Sequence, residues 1–145
     1  ILSRQTYPVV FHESEKDLYI RIDRLRFESI IVNLALNAHQ AMARHDESNE
    51  TEPVVVAVET ESTRHADLAY AKITVADSGP GIAKGKQEVI FDPFFTTRET
   101  GSGIGLATVR SFVRAAHGEI TLRDRDAGGT EAVVLLPLHR REETT

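Results

Sequence analysis

Glycine is unevenly spread along this 145-residue chain, and that unevenness constrains the fold more than any other feature. Six of the nine glycines, at 79, 81, 85, 101, 103 and 105, lie between Asp77 and Gly105, with Pro80 and Pro93 among them. Glycine weakens helices and strands in their interiors, so this span is irregular. It is also too long to be only a connection, and irregular stretches of that length inside a domain are usually functional. The regular elements on either side must therefore form one platform that carries it.

Those elements can be read from the apolar pattern. Val9–Phe11 and Leu18–Ile22 read as short strands joined by the polar stretch His12–Asp17. Asp23 is a suitable N-cap for a helix reaching about Arg44. Asp46–Glu52 has linker composition, and Pro53–Glu59 and Leu68–Ala76 are strands of the buried type, the second ending at Asp77. After the glycine span, helical periodicity returns over Ile104–Ala116 and stops at Gly118, a glycine placed past a helix end. Glu119–Arg123 and Glu131–Leu136 close the chain as strands on either side of Gly128-Gly129. The expected fold is an α/β (α+β) two-layer sandwich. In it a mixed, mostly antiparallel β-sheet of about five strands packs on three helices, as a single domain over residues 1–145. The first residue is Ile1 and the last residues are polar, so both ends are expected to be cuts within a longer protein.

Composition removes whole classes of chemistry. With no cysteine, disulfides, thiolate metal sites and cysteine nucleophiles are excluded. The formal net charge of −5 argues against a nucleic-acid partner. No apolar run approaches the ~18 residues that a membrane-spanning helix requires, so the fragment is not expected to be membrane-embedded. No pair among the six histidines has metal-ligand spacing.

Four stretches carry residues that packing alone does not need. On the first helix, Phe27, Ile30, Ile31, Leu34, Ala38 and Met42 form an apolar stripe, and Arg26, Asn33, Asn37, Gln40 and Arg44 line up beside it. Asn is a poor residue in mid-helix. The pair is either part of a solvated face or a source of amide oxygens for a hard cation such as Mg²⁺ among phosphates. Asp77-Ser78-Gly79-Pro80-Gly81-Ile82 follows a strand. It is either a plain turn or a carboxylate beside glycines that let a backbone approach a ligand with an exocyclic amine. Gly101-Ser102-Gly103-Ile104-Gly105-Leu106 opens a helix, where free N–H groups and the dipole favour phosphate. It is not a dinucleotide fingerprint, since Leu106 stands where glycine is required. Nor is Gly81–Gln87 a P-loop, having three residues between its glycines and no Lys-Ser/Thr after them. Phe91-Asp92-Pro93-Phe94-Phe95-Thr96-Thr97-Arg98 is either a loop anchored by its aromatics or one that folds over a ligand, with Thr97 and Arg98 in reach of a terminal phosphate.

In this order, Asn33-Leu34-Ala35-Leu36-Asn37-Ala38, Asp77–Gly81, Phe91–Arg98, Gly101–Leu106 and the closing Gly128-Gly129-Thr130 resemble the boxes of the sensor histidine kinase catalytic and ATP-binding domain, of the Bergerat-type (GHKL) superfamily. Each box is weak alone, but five in order cover nearly the whole chain. The resemblance implies a protein histidine kinase of two-component signalling, with ATP and Mg²⁺ as cofactors. Its γ-phosphoryl goes to a histidine on a separate dimerisation domain, and a response regulator acts downstream. It implies a cytoplasmic location, including the cytoplasmic part of a membrane-anchored sensor, and no self-phosphorylation without the acceptor domain. Asp77 would accept from the adenine amino group, with Thr130 in support and Gly79, Gly81 and Ile82 around it. Asn37 would hold Mg²⁺, with Asn33 one turn earlier at the metal or phosphates. Gly101, Gly103, Gly105 and Leu106 would meet the phosphates. Residues from about Ala83 to Ser102 would form a glycine-rich ATP lid ordered by Phe94 and Phe95, with Thr97 and Arg98 at the terminal phosphate and Arg98 in a catalytic role. The Phe-rich string is most similar to the nitrogen-regulation and dicarboxylate-sensing branch.

Two departures stand out. Gln40 occupies a position where many members carry Lys or Arg, with Arg44 one turn later as the candidate replacement. His12-Glu13 imitates a phosphoacceptor motif but is followed by Ser14-Glu15-Lys16-Asp17, without the proline of that motif. The remaining histidines, at 39, 45, 65, 117 and 139, are expected to be solvated or capping residues. Two other activities share the superfamily: a stand-alone serine kinase of the anti-sigma-factor type and a gyrase-type ATPase. The ATPase needs a carboxylate base where this chain has Asn33, and Glu28 falls on the other side of the helix. A domain that binds nucleotide without transferring it is the remaining alternative, and Asp77 and Asn37 argue against it.

Overall fold

The computed structural model describes residues 9–12, 17–45, 54–62, 69–81, 104–126 and 128–139. In chain order these give β1 (Val9–His12), α1 (Arg24–His45), β2 (Val54–Ser62), β3 (Ala69–Ala76), α2 (Ile104–Ala115), β4 (Glu119–Asp124) and β5 (Thr130–Pro137). The strands form one sheet in the order β1-β2-β3-β5-β4, parallel between β1 and β2 and antiparallel elsewhere. Among the described residues there are two helices; a third is not among them.

The core lies between the sheet and the two helices. Ile30, Leu34, Ala38 and Met42 recur at intervals of four along α1 and are all buried. Val109 and Val113 do the same on α2. They meet Ile73 and Val75 of β3, Leu122 of β4, and Ala132, Val134 and Leu136 of β5, which share one face by the two-residue period of a strand. Burying each of the larger of these side chains contributes about 1.5–3 kcal/mol. Helix α1 starts where the sequence places its cap: the Asp23 carboxylate accepts from the Leu25 and Arg26 N–H groups at 2.9 and 3.2 Å. The Arg26 guanidinium lies over the Phe112 ring, 5.4 Å from its centroid, and joins the two helices.

Two expectations are corrected. Leu18–Ile22 is not a strand; it makes one isolated bridge, Ile20 to Leu138. Strand β5 is flanked by β3 through Tyr70↔Pro137 and by β4 through Glu119↔Leu135, so only its last residues have a free edge to offer. Ile20 and Ile22 still pack on the core. The left-handed residue after α2 is His117 (φ 62°), not Gly118. Gly118 serves close approach instead, since a Cβ there would overlap the Leu135 carbonyl oxygen.

Candidate active site

The site begins where β3 runs out. The Asp77 N–H donates to the Thr130 carbonyl at 2.9 Å, which extends the β3–β5 pairing by one step. Asp77 is 6% exposed, and its Oδ1 accepts from the Gly79 N–H at 2.8 Å and the Thr130 N–H at 3.2 Å. Burial pushes this carboxyl above its ordinary value of 3.8; the two N–H donors and the nearby Arg125 guanidinium oppose that shift without cancelling it. Arg125 also donates from Nη1 to the Asp77 carbonyl oxygen at 2.8 Å. Gly129 (φ 96°) lies against the same carbonyl so closely that a Cβ would overlap its oxygen. The Gly81 position (φ 82°) faces Asp124 of the same hairpin.

The second half of the site is a face of α1. The Asn33 Nδ2 donates to the Ser29 carbonyl at 2.7 Å and to the Ser29 Oγ at 3.0 Å. With its nitrogen turned back along the helix, the amide presents Oδ1 toward Gly105, where a Cβ would stand 3.1 Å from that oxygen. One turn on, Asn37 is half-buried and its Nδ2 is shielded from solvent. One turn further, Ala41 meets the backbone at Gly79, 2.9 Å from where a Cβ would be. Asn33, Asn37 and Ala41 therefore run along a single helical stripe from the start of α2 to the Asp77 turn.

The structure thus brings Asn33 to Gly105, and Asp77 to Gly79 and Thr130. Leu106 is half-buried in the first turns of α2 and packs on the core. Gln40 is exposed, and the Arg44 side chain lies outside the described residues. So do Ile82, Phe94, Thr97, Arg98, Gly101, Gly103 and the whole Ala83–Ser102 segment. Of the histidines, His12 closes β1, His117 follows α2, and His139 pairs with the Arg21 guanidinium at 3.0 Å. Glu28 is engaged with Arg24 at 3.0 Å on the exposed side of α1. Sequence reasoning missed Ser29, Ala41 and Arg125. The first two stand at four-residue spacing from Asn33 and Asn37 and were open to recognition. Arg125 had no signal except a cation beside a glycine pair.

Among the described residues, no group of three or more acidic or His side chains could cage a metal. Mg²⁺ needs few protein ligands when phosphate oxygens supply the rest. Asn33 and Asn37 are the amides that would hold such an ion, and the outward set of Asn33 Oδ1 fits that role.

A family profile described as histidine kinase-, DNA gyrase B-, and HSP90-like ATPase matches residues 22–140. The chain is 36% identical over 120 residues to the sensor histidine kinase ZraS of Escherichia coli O157:H7, covering 83% of this chain and 24% of that protein. It is 35% identical over 119 residues to the C4-dicarboxylate transport sensor protein DctS of Rhodobacter capsulatus, covering 82% and 17%. Among solved structures, the catalytic domain of the histidine kinase ThkA superposes with a TM-score of 0.67 at 28% identity, covering 89% of this chain and 78% of that one. The chain belongs to the histidine kinase-, DNA gyrase B- and HSP90-like ATPase family, in its sensor histidine kinase branch. It spans about a quarter of the length of ZraS. No helix among the described residues is long and apolar enough to cross a membrane.

Proposed function

We propose that this chain binds Mg·ATP along the α1 stripe and donates the γ-phosphoryl group to a histidine on a separate dimerisation domain, in two-component signalling on the cytoplasmic side. The observation that carries this is the stripe itself. Asn33 abuts Gly105 and Ala41 abuts Gly79, so Asn37 lies between the phosphate-type glycines and the buried carboxylate. That is the sequence of contacts an extended nucleotide requires, with phosphates at one end and base at the other.

Each residue then has a separable task. Asp77 Oδ1 is occupied by two backbone N–H groups, which leaves Oδ2 to accept from the adenine 6-amino group. Thr130 supports it from β5. The N–H groups at Gly103, Gly105 and Leu106 meet phosphate oxygens at the start of α2, where the dipole favours negative charge. Asn33 and Asn37 would hold Mg²⁺, which when bound neutralises phosphate charge. Thr97 and Arg98 would close over the terminal phosphate. In the transfer, a ring nitrogen of the acceptor histidine forms the new P–N bond while the bond from the γ-phosphorus to the bridging oxygen breaks, and ADP leaves. Positioning and charge neutralisation carry most of such a reaction. The ATPase alternative is disfavoured because Asn33 cannot take a proton from water and Glu28 is held by Arg24 on the exposed side.

Calorimetric titration with a non-hydrolysable ATP analogue tests the reading. Wild type should bind more tightly with Mg²⁺ than without it. Asp77→Asn should lose binding, and Asn37→Ala should keep weak binding with the Mg²⁺ response gone. A wild-type chain that ignores the analogue overturns it. Acid-labile label on an added histidine-bearing hairpin separates this activity from a serine kinase, whose product is acid-stable.

A further inference from the structure

We infer that Arg125 is a positioning residue for purine recognition. From the β4–β5 hairpin its guanidinium fixes the backbone of Asp77, and so sets which base edge the Asp77 carboxylate accepts. The inference rests on the adenine reading of Asp77 given above.

A carboxylate is not by itself an adenine reader. It accepts from the adenine 6-amino group, and equally from the amino group and ring N–H of guanine. What separates the two bases is where the accepting oxygen stands relative to the pocket, and for a side chain as short as aspartate that is decided by the backbone. The Asp77 backbone and side chain are held at four points: N–H to Thr130 carbonyl, Oδ1 from Gly79 and from Thr130, and carbonyl oxygen from Arg125. The first three use main-chain N–H and C=O groups of the partner residues, which any non-proline residues there would supply. The fourth alone depends on the identity of a side chain.

The hairpin that carries the guanidinium is itself closed. The Arg125 N–H donates to the Gly129 carbonyl and its own carbonyl accepts from the Gly128 N–H, both at 3.0 Å. Gly129 presses on the Asp77 peptide from the same hairpin, so Arg125 and Gly129 grip one carbonyl together. On the opposite side the turn meets Ala41 of α1, which is uncharged, and the acid set against Gly81 is Asp124. Among the described residues, Arg125 is thus the cation that favours an ionised, purely accepting Asp77. Its planar, multi-donor head keeps both the bond and the charge, which an ammonium reproduces only in part.

The test compares wild type with Arg125→Ala, Arg125→Gln and Arg125→Lys, using non-hydrolysable ATP and GTP analogues and a melting curve for each. For Arg125→Ala, affinity for the ATP analogue should fall about ten-fold, the scale of one charged hydrogen bond. Affinity for the GTP analogue should not fall, so the preference between bases shrinks. Arg125→Lys should recover most of the preference and Arg125→Gln less. Should Arg125→Ala not fold, the other two variants, which keep a long donor side chain, carry the comparison. A variant series that loses both affinities in parallel, or keeps the wild-type preference, overturns this inference alone. A wild type that binds neither analogue overturns the adenine reading and this inference with it.

Discussion

The two ends of the site are built by different physics. At the Asp77 end, strand-like hydrogen bonds, an arginine on a carbonyl and a glycine with no room for a Cβ fix one peptide unit. At the Asn33–Asn37 end, two amides stand on an ordinary helical face, with the Asn33 nitrogen tied by Ser29. The first end is fixed by contacts within the chain itself; the second, on the function proposed above, would offer amide oxygens to a metal and phosphates. Substitutions at the first should damage the fold as well as binding, and those at the second should mainly damage binding.

The largest effect should separate two neighbouring glycines. Gly128 and Gly129 have almost the same φ, 94° and 96°. A Cβ at 128 meets nothing within 4 Å, whereas one at 129 would overlap the Asp77 carbonyl. Gly128→Ala should cost only the left-handed penalty of about 1–2 kcal/mol. Gly129→Ala should cost more than about 3 kcal/mol or prevent folding, because the peptide it strikes is held from every side. Urea denaturation of both variants decides the matter. Equal losses would mean that φ, and not the close approach, is what demands glycine here.

The next effect has a sign that pH reveals. Because burial raises the Asp77 carboxyl above 3.8, the folded chain holds that proton more tightly than the unfolded one. The contribution of this group to stability is therefore greatest in acid. It falls as pH rises from the ordinary value through the raised one. Asp77→Asn removes that loss, and its amide oxygen can still accept from Gly79 and Thr130. Whatever stability the substitution costs in acid, that deficit relative to wild type should shrink as pH rises to neutral, while the ATP analogue is lost. Chemical denaturation across that range checks it. A wild type that gains on the variant as pH rises would show that the two N–H bonds and Arg125 outweigh burial.

The same contrast explains what the sequence disclosed. The helix face was legible because 3.6-residue periodicity fixes which residues share a stripe, so Asn33 and Asn37 could be separated from Ile30, Leu34 and Ala38 by counting. The Asp77 turn was legible as chemistry, through its glycines and its carboxylate. Its rigidity was not, since Arg125 reaches it across 48 residues of chain and no local pattern encodes that pairing. Leu18–Ile22 shows the complementary failure. Its alternation is real and Ile20 and Ile22 do pack inward, but a strand also needs a free edge, and edge availability is a property of the assembled sheet.

The smallest expected effect repeats the glycine comparison far from the site. After α2 the left-handed residue is His117, exposed, and the crowded one is Gly118, whose N–H closes the helix onto the Val113 carbonyl at 2.9 Å. Position 117 is thus the counterpart of 128, left-handed and open, and 118 the counterpart of 129, where a Cβ has no room. This chain already keeps a side chain at the open position of one pair and a glycine at the crowded position of both. His117→Gly should therefore stabilise the chain modestly, by about 0.5–1 kcal/mol, as relief of left-handed strain is partly offset by the greater freedom of glycine when unfolded. Gly118→Ala should destabilise it by more than that gain. Thermal melts of the two variants, set beside those of Gly128→Ala and Gly129→Ala, test one rule at two places. If His117→Gly stabilises by several times the expected amount, the left-handed backbone is costlier than the close approach, and the argument for Gly129 as a steric clamp on Asp77 loses its support.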